Sequence, residues 1–249
     1  MRKHNRVRDL LVYTITSVQK LLLKGMISLF LKDIRVFGRW WKFRVSSKST
    51  LDFRTPWLVF DAIDFLSNWL RKDMVVFEYG SGGSSLFISD RVNKLYSVEH
   101  NEQWFGNVSD AIKTEGIQNI DLRLYRPVVK INDPKVDCSD PKNYISCMGE
   151  FKDLNFETYV KSIAAFPDNY FDLIIVDGRA RPSCIQHAMP KVKTGGVLLV
   201  DNADRAYYLS HFPELRDEDN WDEKAFIGHF PYCPASILGT TILFTKKGY

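Results

Sequence analysis

At 249 residues, with 45% apolar and 26% charged residues, the chain can hold one α/β domain with a sizeable core plus an appendage, and its composition excludes a disordered protein. The net charge of +4 is unevenly divided: residues 1–48 carry twelve Lys/Arg against Asp9 and Asp33, so a basic N-terminal arm precedes a mildly acidic body. The four cysteines show no CxxC or metal-finger spacing and read as free thiols in a reducing, cytoplasmic setting; Cys138 and Cys147 share a loop and are the pair that could bridge.

In the arm, Leu10–Leu31 is rich in Leu, Ile and Val, but Lys20 and Lys24 interrupt it. The longest uncharged run, Leu10–Gln19, falls short of the roughly 20 residues that a bilayer span needs. The basic start imitates a signal peptide, yet no small-residue cleavage site follows cleanly. Three placements stay open. The arm can lie as a basic amphipathic helix on an anionic membrane surface, with Lys/Arg side chains beside Trp40, Trp41 and Phe43. It can pack on its own domain or on a second subunit. It can also be an organellar targeting peptide. A nucleic-acid partner is not expected, since only the charge would favour it. Ser46–Thr50 reads as a linker, which divides the chain into a basic extension, 1–50, and a body, 51–249.

The body opens with a helix over Phe60–Leu70, from the apolar spacing of Phe60, Ile63, Leu66 and Leu70. Strands and helices then alternate: Met74–Glu78, Ser84–Arg91, Lys94–Glu99, Glu102–Glu115 stopped at Gly116, and Ile120–Tyr125. Residues 126–167, with four prolines and two cysteines, interrupt the alternation and are the candidate acceptor-binding insertion, with Tyr144, Phe151, Phe156 and Tyr159 as lining or anchoring residues. The run FDLIIVD, Phe171–Asp177, reads as a parallel strand covered on both faces. A helix over Ser183–Val192, a turn at Gly195-Gly196, a strand over Val197–Asp201 and a helix near Arg205–His211 follow. Lys224–His229 and Thr240–Phe244 close the chain as a terminal strand pair. The fold class is therefore α/β, a doubly wound, mostly parallel seven-stranded sheet with helices on both faces.

The densest chemistry lies in Val75–Ser85, VVFEYGSGGSS, a strand that ends in Glu78 and turns through Gly80-Ser81-Gly82-Gly83 into a helix. Glycines there permit positive φ and close approach, and the helix start offers unpaired N–H groups. Glu99 ends the next strand nineteen residues beyond Gly80, the spacing at which a carboxylate meets the ribose hydroxyls of a nucleotide. Asp177 and Asp201 end later strands, so all four carboxylates should face the crevice at the carboxyl ends of the strands. They could instead cap the helices that follow.

These residues resemble the class I S-adenosylmethionine-dependent methyltransferases from about Leu51 onward. Glu78, Gly80 and Gly82 match that family's acidic residue and G-x-G after the first strand. Glu99 matches its ribose-binding acid, Asp177 the Asp after its fourth strand, and Gly195-Gly196 the pair before its fifth. The terminal strand pair resembles its antiparallel hairpin. The resemblance implies S-adenosyl-L-methionine as cofactor, with Gly80, Ser81, Gly82 and Gly83 beneath its methionine end. Glu99 would then hold the ribose, His100 or Asn101 would lie near the adenine, and Asp177 near the ammonium. It implies methyl transfer to oxygen of a small or saccharide-like acceptor, with Asp177 and Asp201 as catalytic residues. A catalytically inactive methyltransferase-like module at a membrane is the alternative. A nicotinamide-dependent oxidoreductase would need glycine where Ser85 stands.

Asp177 with Asp201-Asn202 also resembles the metal-dependent catechol-type O-methyltransferases, in which such residues hold a divalent cation such as Mg²⁺. Those enzymes carry a lysine where this chain has Arg179 and Arg181, so no residue is assigned to a metal. Arg179, Arg181 and Arg205 suit an anionic acceptor, since a guanidinium fork matches carboxylate or phosphate, or else form internal salt bridges to Glu78 or Asp204. His187 is expected to be packed or exposed rather than catalytic.

Overall fold

The computed structural model describes residues 6–24, 27–128, 136–147, 149–152, 154–234 and 236–248. Arg2, Lys3 and Pro134 lie outside them, as do the side chains of Arg6, Lys20, Lys24 and Lys32. Two helices, α1 (Arg6–Lys24) and α2 (Ile27–Val45), precede the body. There follow α3 (Phe60–Trp69), β1 (Val75–Tyr79), α4 (Gly83–Ser89), β2 (Lys94–Glu99), α5 (Glu102–Thr114), β3 (Ile120–Leu124) and α6 (Glu157–Lys161). The chain ends with β4 (Phe171–Val176), α7 (Arg181–Ala188), β5 (Val192–Asp201), β6 (Trp221–Gly228) and β7 (Gly239–Lys246).

The seven strands form one sheet in the order β3-β2-β1-β4-β5-β7-β6. β1 to β5 run parallel; β7 inserts antiparallel beside β5, and β6 pairs antiparallel with β7. The order reverses between β1 and β4, which places a crevice at the carboxyl ends of the central strands.

Alternation along the central strands explains their unbroken apolar runs. Leu173 and Ile175 of β4, with Val197 and Leu199 of β5, face a cluster that contains α3 and α4 residues. Ile174 and Val176, with Leu198 and Val200, face a second cluster with α6 and α7. Both faces are dry, as a parallel sheet covered by helices requires.

The arm joins the first of these clusters. Tyr13, Val36, Trp40 and Phe43 are buried with Leu58, Phe60, Leu66 and Leu243. Trp40 is fully buried and donates its indole N–H to the Cys233 carbonyl at 3.0 Å, while Arg44 pairs with Asp9 at 3.0 Å and Arg39 with Asp64. Of the placements that the sequence leaves open, packing on its own domain is seen directly, through one face of the arm. Trp40 and Phe43 are therefore not membrane-facing aromatics; they turn inward because the body offers a continuous apolar surface between α3 and β7. Among the described residues, no helix is long and apolar enough to cross a membrane.

Four other expectations change. Cys138 and Cys147 are disulfide-bonded, with Cα atoms 5.8 Å apart, while Cys184 and Cys233 are free and buried. The loop reverses at Asp140–Asn143, and the Asn143 amide donates to the Asp137 carbonyl at 2.7 Å, which brings the two cysteines together. An oxidised pair withdraws the support that cysteine spacing lent to a reducing compartment. Gly195-Gly196 is a bulge within β5 rather than a turn: pairing with β4 jumps from Val192 to Val197. The segment near Arg205–His211 forms only a short 3₁₀ turn, Ala206–Tyr208. The helix expected to run to Val192 stops at Ala188, just ahead of Pro190.

Candidate functional site

One cavity of about 630 Å³ opens at the carboxyl ends of β1, β2, β4 and β5. Gly80, Ser81, Gly82, Gly83, Glu99, His100, Asp177 and Asp201, which lie up to 121 positions apart in sequence, all line it.

The loop after β1 is fixed by glycine on one side and serine on the other. Gly80 has φ +96°, and a Cβ there would stand 3.0 Å from the backbone of Gly178, so β1 and β4 approach through two glycines. A Cβ on Gly178 would in turn collide with the hydroxyl of buried Tyr159. Ser85, where a third glycine is absent, has its own task. Its hydroxyl donates to Glu78 Oε2 at 2.5 Å and accepts the Gly82 N–H at 3.0 Å.

Glu78 also accepts from Ser97 at 2.7 Å and is wholly buried beneath the loop. It does not reach the cavity, which corrects its expected contact with a ligand: the strand's final alternation turns it under the loop, where it acts as a brace. Burial pushes its pKa up to about 7, against the stabilising hydroxyls of Ser84, Ser85 and Ser97, and among the described residues none makes an aligned hydrogen bond to Oε1. Because the unfolded carboxylate ionises near 4.5, the contribution is fully present below that pH and is lost as pH rises toward 7. Stability is thus expected to fall by about 3 kcal/mol across this window. Urea midpoints measured from pH 4.5 to 7.5 should show a shallower decline in Glu78→Gln; equal slopes would remove Glu78 as the cause.

Glu99 is held on both oxygens. Oε1 accepts the His100 and Asn101 N–H groups, each at 2.8 Å, and Oε2 accepts the N–H and hydroxyl of Ser81 at 3.1 and 3.2 Å. Burial works to raise its pKa, but the adjacent His100 ring and the Asn101 and His100 amides outweigh it and hold the carboxylate below its usual value. His100 Nδ1 lies 2.9 Å from Oε1 yet is not aligned as a hydrogen bond. The His100 ring meets Phe151 edge-on at 4.6 Å.

Arg181 joins β4 to β5. Its Nε donates to the Gly178 carbonyl at 3.0 Å, and Nη2 donates to the Asp177 carbonyl and Oδ1 at 2.9 and 2.8 Å. Nη1 donates to the Asp201 carbonyl. Arg181 lines the cavity but is only slightly exposed, and its ion-pair partner is Asp177 rather than the Glu78 or Asp204 that the internal-salt-bridge expectation named. Asp201 accepts the Thr241 hydroxyl at 2.6 Å, and burial, then the nearby charge of Asp177, push its pKa up to about 7.

This arrangement fits a divalent cation poorly. The Arg181 guanidinium already stands against Asp177 and the Asp201 backbone, supplying positive charge where a metal would sit. Among the described residues, no group of three or more His, Cys, Asp or Glu is arranged to hold a metal ion. The other two arginines differ: Arg179 lies over the Phe151 ring at 5.8 Å and Arg205 donates to the Tyr208 hydroxyl at 2.8 Å, both on the cavity wall and neither ion-paired with a carboxylate among the described residues.

Of the insertion's aromatics, Phe151 lines the cavity, whereas Phe156 and Tyr159 are buried anchors. Tyr144 is hydrogen-bonded to His187 at 3.2 Å. Sequence reasoning missed Trp104, whose indole donates to the Ser81 carbonyl at 2.7 Å, and also Thr50, Trp57 and Phe230 on the outer wall. Trp104 has a readable signal, since Asn101 caps α5 and places it in the first turn beside the Glu99 strand end. The other three come from linkers and carry none.

No family model matches the chain, and no curated protein matches it. Solved structures do. A Bacillus cereus O-methyltransferase in complex with S-adenosylhomocysteine aligns at TM-score 0.51 and 12% identity, over 82% of this chain and 93% of that one. A candidate O-methyltransferase of Klebsiella pneumoniae aligns at TM-score 0.53 and 13% identity, over 83% and 94%. A Corynebacterium glutamicum protein aligns at 0.54 and 10% identity, over 88% and 98%. In sheet order, closing antiparallel pair and neighbours, the chain has the fold of the class I S-adenosylmethionine-dependent methyltransferases.

Proposed function

We propose that the chain binds S-adenosylmethionine in the cavity and transfers its methyl group to an oxygen of a small, hydroxyl-bearing, anionic acceptor. The observation that carries the reading is the convergence of the glycine loop, Glu99, Asp177 and Asp201 on one cavity at the sheet's switch point. Its volume lies within the roughly 300–1,000 Å³ of small-molecule sites. Four carboxylates on the wall, Glu99, Glu150, Asp177 and Asp201, suit a cationic cofactor, and neighbours of this fold include an O-methyltransferase complexed with S-adenosylhomocysteine.

The bound cofactor supplies a methyl group on a sulfonium, which a nucleophilic oxygen can accept. Glu99, fixed by four donors, presents its carboxylate edge to the ribose hydroxyls, and Ser81 is the partner that a hydroxyl would displace. Asp177, a quarter exposed, faces the ammonium. Asp201, with its pKa raised to about 7, takes the proton from the acceptor hydroxyl near neutral pH. Arg179 and Arg205 hold the acceptor's anionic group. A dinucleotide is disfavoured because the Thr50 and Thr55 carbonyls crowd Gly83 at the start of α4, where a diphosphate would need donors.

Calorimetric titration tests the reading. S-adenosylhomocysteine should bind and NADH should not; absence of binding at near-millimolar S-adenosylhomocysteine overturns it. Glu99→Ala should weaken that binding by about 1–3 kcal/mol through loss of charge-assisted hydrogen bonds. An unchanged affinity would place the ribose elsewhere.

A further inference from the structure

The arm hides its aromatics and displays aliphatics. Among the described residues twelve large hydrophobic side chains are exposed, and eight of them fall within residues 7–34. On α1, Val7, Leu11, Ile15 and Val18 recur at helical spacing, 38–67% exposed, on the face opposite buried Tyr13 and Ser17. On α2, Ile27, Leu31 and Ile34 recur at i, i+4 and i+7, each 57–58% exposed, away from buried Val36, Trp40 and Phe43. Both helices are thus apolar on two faces: one face builds the core, and the other has no partner among the described residues.

Charge indicates what covers the second face. Residues 1–48 carry twelve Lys/Arg against two acids of their own, both of them spent internally, and the body answers with only two more in described ion pairs, Asp61 to Arg35 and Asp64 to Arg39. Asp9 is clasped by Arg44, while Asp33 accepts from Ser17 at 2.8 Å and lies 3.4 Å from buried His229. The remainder of the chain is net acidic, so the aliphatic rows belong to the one strongly basic segment of the sequence. A second copy could cover the apolar rows but would bring two strongly basic arms together. An anionic lipid surface satisfies both features, because aliphatic side chains enter the acyl boundary while Lys and Arg meet the headgroups.

We propose that the outer face of the α1–α2 hairpin docks the protein on an anionic bilayer surface through Val7, Leu11, Ile15, Val18, Leu31 and Ile34. The hairpin lies on the membrane without crossing it, and the body keeps its cavity in the aqueous phase. The docking face shares no residue with the cavity, so this surface and the methyltransferase reading stand or fall separately.

Co-sedimentation of the full chain with vesicles of phosphatidylcholine alone, or mixed with one quarter phosphatidylglycerol, tests the proposal. Binding should be at least tenfold stronger to the anionic vesicles and should weaken with added salt. Leu11→Glu/Leu31→Glu, changed only at exposed positions, should lose at least tenfold of that binding while keeping its helical circular dichroism. Leu11→Gln/Leu31→Gln, which adds no negative charge, should lose most of it too, so that apolar contact is tested apart from repulsion. Equal binding to both vesicle types overturns the proposal, as does undiminished binding of both variants. A dimer in light scattering that the variants dissociate, without vesicle binding, assigns the face to a second copy and also overturns it.

Discussion

Replacing Arg181 by leucine is expected to destabilise the fold by about 3–5 kcal/mol, the cost of leaving one member of a buried ion pair uncompensated. The effect should be large because Arg181 serves four acceptors at once: the carbonyls of Asp177, Gly178 and Asp201, and the Asp177 carboxylate. Leucine satisfies none of them, and water has little access to a side chain that is 6% exposed. The strand ends that carry Asp177 and Asp201 are then no longer tied together, so ligand binding should fall along with stability. Urea denaturation gives the first quantity and calorimetry with S-adenosylhomocysteine the second. Arg181→Lys separates charge from geometry. A lysine keeps the charge but lacks the planar fork, and should recover only part of the loss. Full recovery by lysine, or a loss below about 1 kcal/mol in the leucine variant, would show that the hub matters less than its hydrogen bonds suggest.

Trp40→Ala is expected to cost a similar amount, about 3–5 kcal/mol, from cavity creation and lost apolar burial. Trp40 is fully buried, its ring stands 4.4 Å from Tyr13 and 6.1 Å from His229, and its indole N–H satisfies the Cys233 carbonyl. The prediction has a structural consequence beyond its size. Tyr13, Trp40 and Phe43 lie in the same cluster as Leu173, Leu199 and Leu243 of the sheet, so arm and body should unfold in one transition. Tryptophan fluorescence and far-ultraviolet circular dichroism followed through the same urea titration should coincide and shift together in the variant. An arm that melted first, with an unmoved midpoint for the body, would make it a separable appendage.

The sheet was legible because its parallel strands are continuous apolar runs punctuated by glycine and carboxylate. Phe171–Val176, Lys94–Glu99 and Glu102–Thr114 fall where periodicity places them, within a residue or two. The site's first layer was legible for a related reason. A residue that ends a strand must face the crevice, which fixes Glu99, Asp177 and Asp201 without knowledge of packing. Glu78 shows the limit of that rule. It ends an apolar run like the others, but one residue of pleat turns it beneath the loop, and alternation at a strand's last position is not visible without the turn that follows.

What the sequence determined by itself was therefore local: which segments are strands, which carboxylates end them, and that the loop after β1 must bend through glycine. The tertiary structure decided everything that depends on meeting across the chain. It set Arg181 against Asp177 rather than against Glu78 or Asp204, closed Cys138 onto Cys147, and brought Thr50, Trp57 and Phe230 to the cavity mouth. It also turned Trp40 inward and Leu11 outward on helices whose sequence is apolar on two sides. The reason is the same in each case. Periodicity records that a face is apolar, but which apolar face finds a partner is settled only when a complementary surface arrives from elsewhere in the chain.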